Sequence, residues 1–340
     1  MNVILLFGGR STEHEISCMS VCNVLSNIQG HTLQTIGITK DGQWFFTEAD
    51  QNQILDGSWQ TLPENIPVGL DLSRGTFTKN GKNVPCDVVF PVLHGKNGED
   101  GTVQGLLDIL GIRYVGCGVM ASAVCMDKIT ANRVFSACGI PHVQWFGFDK
   151  TDYQTDSERI LENIESLSFP VFIKPSNAGS SVGISRCENK EELINAIQTA
   201  FLTDDRVIAE TGLKNFREIE VAVMGNDDPV VSRPGRVVSA TEVYTYESKY
   251  QNSESYTLIP ADVPPQTTEE IRTLAKKAYR ACGCRGLSRA DFFLTEDNAI
   301  YINEINTLPG FTSISMFPQL FAAEGISYAE LIDRLLQYAL

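Results

Sequence analysis

The sequence predicts an α/β protein of more than one domain, its first third forming an open, mostly parallel sheet. Three observations carry this. A chain of 340 residues exceeds one ordinary hydrophobic core, so two or three domains are expected, with room for a cleft between them. Short apolar segments, Val3 to Phe7, Thr35 to Ile38, Val88 to Val92 and Tyr114 to Val115, alternate with stretches of helical period. Hydrophobic residues make up 43% and charged residues 20%, a balance far from that of disordered chains.

The opening Met1 to Leu6 is apolar, has no basic flank and breaks at Gly8-Gly9, so it reads as a buried first strand and not a signal sequence. Ligands approach open sheets at the carboxyl ends of such strands. Two glycines without the rest of a dinucleotide fingerprint are better read as a tight turn. A second unit begins near Gly118 with a helical run, Val119 to Cys138, stopped by Gly139-Ile140-Pro141. Phe169 to Lys174 reads as a strand entering a glycine-rich loop, and Lys190 to Leu202 as a helix. A third unit opens near Leu213 with the strand Glu218 to Met224. The tyrosine-rich Thr241 to Tyr256 follows no period, and a loop of that length inside a compact enzyme is usually functional or disordered. The expected domains are 1–117, 118–212 and 213–340.

Composition excludes some partners. A formal charge of -15, from 27 basic against 42 acidic residues, opposes binding to a phosphate backbone, so nucleic acid is not expected. No apolar run approaches the roughly 18 to 20 residues that cross a bilayer, which points to a cytoplasmic protein without a membrane partner. The nine cysteines lie mostly in apolar segments and read as buried structural thiols. Cys282 and Cys284 have the wrong spacing for a zinc knuckle.

Two segments carry chemistry most directly. Lys174 to Gly183 follows an apolar strand and joins a lysine, two glycines and the serines Ser180 and Ser181 in a short turn. Small residues let backbone N–H groups converge on phosphate oxygens while the lysine adds charge. It is not a Walker A loop, because the lysine precedes the glycines, and a solvated hairpin turn is the competing reading. The second is the pair Arg289 to Leu294 and Ala299 to Asn306, joined by Glu296-Asp297-Asn298. Alternation along strands puts Arg289 with Asp291 on one face and Glu304 with Asn306 on one face. Three oxygen ligands and a guanidinium can then converge, a donor set suited to magnesium and not to zinc. The competing reading is a hairpin with solvated charges outside. Two further stretches complete the series: His94 to Thr102 is a polar, glycine-containing loop after a strand, and Leu308 to Ser315 sets hydroxyls and a kinked backbone directly after the acidic strand.

Together with Phe7 to Ser17, Val119 to Lys128 and Tyr246 to Tyr250, these motifs resemble the ATP-grasp superfamily and, within it, the D-alanine:D-alanine ligase family, in the family's order and over nearly the whole chain. The resemblance implies a three-domain ATP-grasp fold behind an N-terminal open α/β domain, and synthesis of D-alanyl-D-alanine for peptidoglycan through an acyl phosphate. It implies ATP and two magnesium ions, which manganese can replace, and a homodimer. It assigns Lys128 and Lys174 to the phosphates, Glu218 and Glu210 to ribose and adenine, and Asp291, Glu304 and Asn306 to the metal. Glu13 would bind the first D-alanine with His94 near its carboxylate. Arg289 and the Gly310 amide would stabilise the oxyanion, while Ser315, the Met316 backbone and Lys249 would meet the second carboxylate. Glu13, Ser180 and Tyr250 would form a hydrogen-bonded trio closing Thr241 to Tyr256 over the site as a lid. Ile314 stands where many relatives have histidine. A D-alanine:D-serine ligase on the same fold is the rival reading, against which Met316 speaks because such relatives often carry arginine there.

Overall fold

The computed structural model describes residues 1–179, 182–238 and 256–340. Ser180, Ser181, Lys249, Tyr250 and nearly all of Thr241 to Tyr256 therefore lie outside the described residues.

The first sheet holds β1 (Asn2–Gly8), β2 (Thr32–Ile38), β3 (Trp44–Thr47), β4 (Ile66–Asp71), β5 (Thr76–Lys79), β6 (Lys82–Asn83) and β7 (Val88–Val92), in the order β6-β5-β4-β3-β2-β1-β7. Only β2, β1 and β7 run parallel; β3 to β6 form an antiparallel meander at one edge. Their connections decide this. A parallel crossover needs a dozen or more residues, and β5 and β6 are joined by Asn80-Gly81 alone, both at positive φ. Tyr114, expected in a strand, makes a single parallel bridge to Val89. The central strands are buried on both faces, by α1 (His14–Asn27) with Trp59 on one side and by α3 (Thr102–Leu110) on the other. A short α2 (Gln51–Asp56) lies between them in sequence. Gly8 must be glycine: φ is +88° and a Cβ would stand 2.2 Å from the Ile38 carbonyl oxygen.

The expected helix from Val119 to Cys138 is two helices, α4 (Val119–Met126) and α5 (Lys128–Ala137), broken at Asp127. Asp127 leaves helical geometry to cap α5, its carboxylate accepting from the Thr130 N–H at 2.7 Å, the Ser176 hydroxyl at 2.9 Å and the Asn177 amide at 3.0 Å. This pins Lys128 to the loop that holds Ser176 and Asn177.

That sheet is antiparallel, β10-β9-β11-β8, built from β8 (Trp145–Asp149), β9 (Val171–Pro175), β10 (Ser185–Cys187) and β11 (Arg206–Thr211). It buries α6 (Lys150–Thr155), α7 (Ser157–Glu165) and α8 (Lys190–Ala200) against one face, around Ile160, Ile164, Ile173 and Leu193. The third sheet runs β15-β14-β12-β16-β17, with β12 (Phe216–Met224), β13 (Val230–Val231) paired to it, β14 (Gly235–Val238), β15 (Tyr256–Leu258), β16 (Leu287–Thr295) and β17 (Ile300–Asn306). Along β16, Ala290, Phe292 and Leu294 enter a core with α4, α5 and α9 (Pro265–Ala281), and each fully buried aliphatic or phenyl group there contributes roughly 1.5–3 kcal/mol. The alternate residues turn to the cleft facing the second sheet. α10 (Met316–Ala323) and α11 (Tyr328–Tyr338) return to the first sheet and share a core with β1 and α1. Among the described residues no helix is long and apolar enough to cross a membrane.

Candidate active site

The hairpin β16–β17 sets the chemistry. Its register opposes Arg289 to Asn306 and Asp291 to Glu304, and a bulge follows Asp291. The neighbouring strand opposes Glu220 to Asp291 and Glu218 to Phe293, so both acids of β12 join the same face. Arg289 donates from Nε to Asp291 Oδ1 at 2.8 Å and from Nη2 to Oδ2 at 2.7 Å, and its Nε also lies 2.9 Å from Glu220 Oε2. Asn306 donates to Asp291 Oδ2 at 2.9 Å. Desolvation works against the Arg289 charge, but Asp291, Glu220 and Glu304 outweigh it and hold the guanidinium firmly protonated. Glu220 is a site residue not singled out from sequence; the alternation that placed Glu218 two residues earlier was the available signal.

Across the cleft, Lys174 on β9 and Glu210 on β11 are diagonal neighbours on one face and form a buried pair at 2.6 Å, with Asn132 of α5 donating to Glu210 at 3.3 Å. Lys128, at the first turn of α5, donates to the Ala178 carbonyl at 2.6 Å. Lys128, Lys174, Glu210 and Glu218 line one cavity together with Val143, Phe172, Ile184, Phe216, Ile219 and Phe293. Flat apolar walls, two lysines and two acids suit a nucleotide: the base between the aromatics, the phosphates toward the lysines.

An adjoining cavity shares Lys128, Gly179, Glu220 and Glu304 and is lined by Glu13, His94, Glu99, Arg289, Asn306, Gly310, Ile314, Ser315 and Met316. Glu13 approaches the central loop closely: a Cβ on Gly179 would lie 3.3 Å from its carboxylate, and one on Gly95 only 2.7 Å. His94 is buried and both ring nitrogens are engaged, Nδ1 donating to the Leu308 carbonyl at 3.0 Å and Nε2 accepting from the Ser20 hydroxyl at 3.1 Å. Burial lowers its pKa and keeps it neutral, so it ties down Leu308 and with it the Pro309-Gly310 turn. Ser20 and Asn23 hold Phe311 by its N–H and carbonyl. Ser315 Oγ bonds the Thr312 hydroxyl at 2.8 Å, leaving the α10 N-terminus at Met316 without a side-chain cap. Glu99, in the loop before α3, is the other residue missed: desolvation, then the Glu13 carboxylate, raise its pKa and favour the protonated form.

The metal assignment can be tested on donor chemistry. Among the described residues no three His, Cys, Asp or Glu side chains are gathered as a cage. The set is two carboxylates and an amide on paired strands, all hard oxygen donors facing the lysines across the cleft. That fits a divalent cation carried with phosphate oxygens, and excludes a soft, protein-enclosed site.

A three-stranded parallel core followed by two antiparallel sheets, with lysines beside one and carboxylates on the other, defines an ATP-grasp ligase. Models of the D-ala D-ala ligase N-terminus and C-terminus match residues 2–117 and 134–337. The D-alanine--D-alanine ligase of Acetivibrio thermocellus is 45% identical, covering 99% of this chain and 95% of the relative. D-alanine--D-alanine ligase B of Clostridium tetani is 46% identical over 100% of this chain and 94% of the relative. Of solved structures, the VanG D-Ala:D-Ser ligase from Enterococcus faecalis superposes with TM-score 0.91 at 37% identity, covering 100% of this chain and 99% of the other. The D-alanine-D-alanine ligase from Coxiella burnetii gives 0.87 at 32%, covering 100% and 93%. This chain belongs to the D-ala D-ala ligase family.

Proposed function

We propose that this chain joins two D-alanines into D-alanyl-D-alanine, driven by ATP through an acyl phosphate, for peptidoglycan precursor synthesis. The observation that carries the reading is the position of Arg289, Asp291 and Glu304 at the boundary between an apolar-walled cavity and a polar one. One cavity offers a nucleotide its surroundings; the other offers charged groups to two amino acids.

In this reading Glu210 and Glu218 hold adenine and ribose, Lys128 and Lys174 the phosphates, and Asp291, Glu304 and Asn306 two divalent cations, magnesium or manganese. When bound, those cations supply charge neutralisation for phosphoryl transfer. Glu13 engages the ammonium of the first D-alanine, leaving its carboxylate toward the phosphates. A carboxylate oxygen takes the γ-phosphoryl group and ADP departs. The amine of the second D-alanine then attacks the acyl carbon, a tetrahedral oxyanion forms, and phosphate leaves as the peptide bond closes. Arg289 stabilises that oxyanion with the Gly310 N–H; Asp291 and Glu220 fix its guanidinium in advance, so little reorganisation is needed. The second carboxylate meets Ser315 and the Met316 N–H at the start of α10. Ser180, Ser181, Lys249 and Tyr250, outside the described residues, complete the phosphate loop and a lid that excludes water from the acyl phosphate. The reading carries a homodimer in the cytoplasm and the domain limits 1–117, 118–212 and 213–340.

The test is a competition. Purified protein with ATP, magnesium and equal D-alanine and D-serine should release phosphate and give chiefly the D-alanine homodipeptide by mass. A mixed dipeptide as main product would establish the D-serine alternative, and no phosphate release would end the ligase reading.

A further inference from the structure

Four thiols that this reaction does not use meet beside the polar cavity. Cys125 sits on the last turn of α4, Cys117 just before that helix, and Cys282 and Cys284 flank Gly283 where α9 ends; all four are buried. Gly283 has φ +70° and the Cys284 N–H bonds back to the Tyr279 carbonyl at 2.9 Å, so the chain reverses and both thiols reach Cys125. The Cys125 and Cys284 sulfurs lie 3.9 Å apart. Cys125 is the member of the group that lines the cavity. Contact with Cys282 and Cys284 draws the Cys125 pKa down, while Cys284, beside Cys117 and Cys125, is pushed up. Among the described residues no such group is arranged to cage a metal.

We propose that Cys125 and Cys284 form a peroxide-driven, reversible disulfide that switches the enzyme off, with Cys125 as the peroxide-facing thiol. The Cys125 thiolate attacks one oxygen of hydrogen peroxide, the O–O bond breaks, hydroxide leaves, and a sulfenic acid forms. Cys284 sulfur then displaces that hydroxyl, its proton leaving with the oxygen as water, so two thiols and one peroxide become a disulfide and two waters. Cys125 lines the polar cavity, from which a peroxide would approach it, and the partner sulfur is already 3.9 Å away. The bond draws the sulfurs from 3.9 Å to about 2 Å. The end of α4 must follow, and Asp127 and Lys128 are the next residues but one and two along. A shift of that size at a group that holds phosphate costs on the order of 100-fold in turnover.

The loss of activity rests on the ligase reading, but the bond itself does not. Wild-type protein treated with hydrogen peroxide, digested without reductant and mapped by mass should yield a peptide joining Cys125 to Cys284 and lighter by two hydrogens. Phosphate release should fall by on the order of 100-fold and return with dithiothreitol. Cys284→Ser should retain unoxidised activity and lose the reversible response, whereas Cys138→Ser, which removes the exposed thiol, should keep both. A bridge between any other pair, a sulfinic acid at Cys125 without a bridge, or reversible inactivation of Cys284→Ser would overturn the proposal. If Cys284→Ser fails to fold, the wild-type map decides. Absence of phosphate release before oxidation would count against the ligase reading alone.

Discussion

The two cavities that meet at Lys128 and Glu304 are built in opposite ways. The nucleotide-side cavity lies between two sheets: β9, β11 and the outer ends of β12 and β16 supply its apolar walls, and the buried Lys174–Glu210 pair with Lys128, Glu218 and Asp291 supplies its polarity. The polar cavity draws Glu13, His94 and Glu99 from the first sheet's loops, Arg289, Glu220 and Glu304 from the third sheet, and Gly310 to Met316 from a loop held by His94, Ser20 and Asn23. One is an apolar-walled slot between the second and third sheets. The other exists only when three parts of the chain close around an excess of carboxylates. The difference separates binding from chemistry: affinity for the nucleotide should respond to one set of residues and the rate of bond formation to the other.

The largest effect should come from the polar side. Arg289→Met removes the guanidinium from where an oxyanion would develop, and kcat for dipeptide formation should fall about 10²–10³-fold. ATP binding, measured by calorimetry in the presence of magnesium, should change by less than about threefold. Parallel loss of both would break the separation. Lys174→Ala should do the converse, raising the KM for ATP by roughly 10–100-fold through loss of a charge-assisted contact. It would also leave Glu210 buried without its cation, destabilising the fold by about 3–5 kcal/mol in denaturant titration.

These contrasts follow what could be read from the residues alone. Arg289, Asp291, Glu304 and Asn306 were legible because a two-residue period over an apolar hairpin states which side chains share a face. Glu220 obeyed the same rule on β12 and could have been found by it. Glu99 could not: in a loop of alternating glycines and polar residues no period says which carboxylate turns inward, and its neighbour Glu13 is 86 positions away. The break at Asp127 was hidden because an aspartate inside an apolar helical pattern reads as a surface residue until Thr130, Ser176 and Asn177 are brought to it. The antiparallel meander of the first sheet was missed because β5 and β6 are too short to show an alternation; only Asn80-Gly81 signalled the turn between them.

A smaller effect should sharpen the picture of crowded carboxylates. Burial, with Glu13 and Glu304 nearby, raises Glu99 above the ordinary carboxyl range. Its contribution to stability is therefore complete below the unfolded value of about 4.3 and is lost as pH rises through the higher folded value. Glu99→Gln should match the wild type at pH 4 and exceed it at pH 8, by about 2–4 °C in Tm for each kcal/mol relieved. Equal melting at both values would show that Glu99 is not strained by its neighbours. The smallest change belongs to Ile314, which is 54% exposed at the edge of the polar cavity. Ile314→Ala should alter kcat with D-alanine by no more than about threefold.

The central claim, that a carboxylate in the polar cavity receives phosphoryl from a nucleotide in the other, has a direct test in isotope transfer. D-alanine labelled with ¹⁸O in both carboxylate oxygens, incubated with the protein, ATP and magnesium, should place one ¹⁸O in each phosphate released, as an acyl phosphate requires. Phosphate carrying no label would contradict the account.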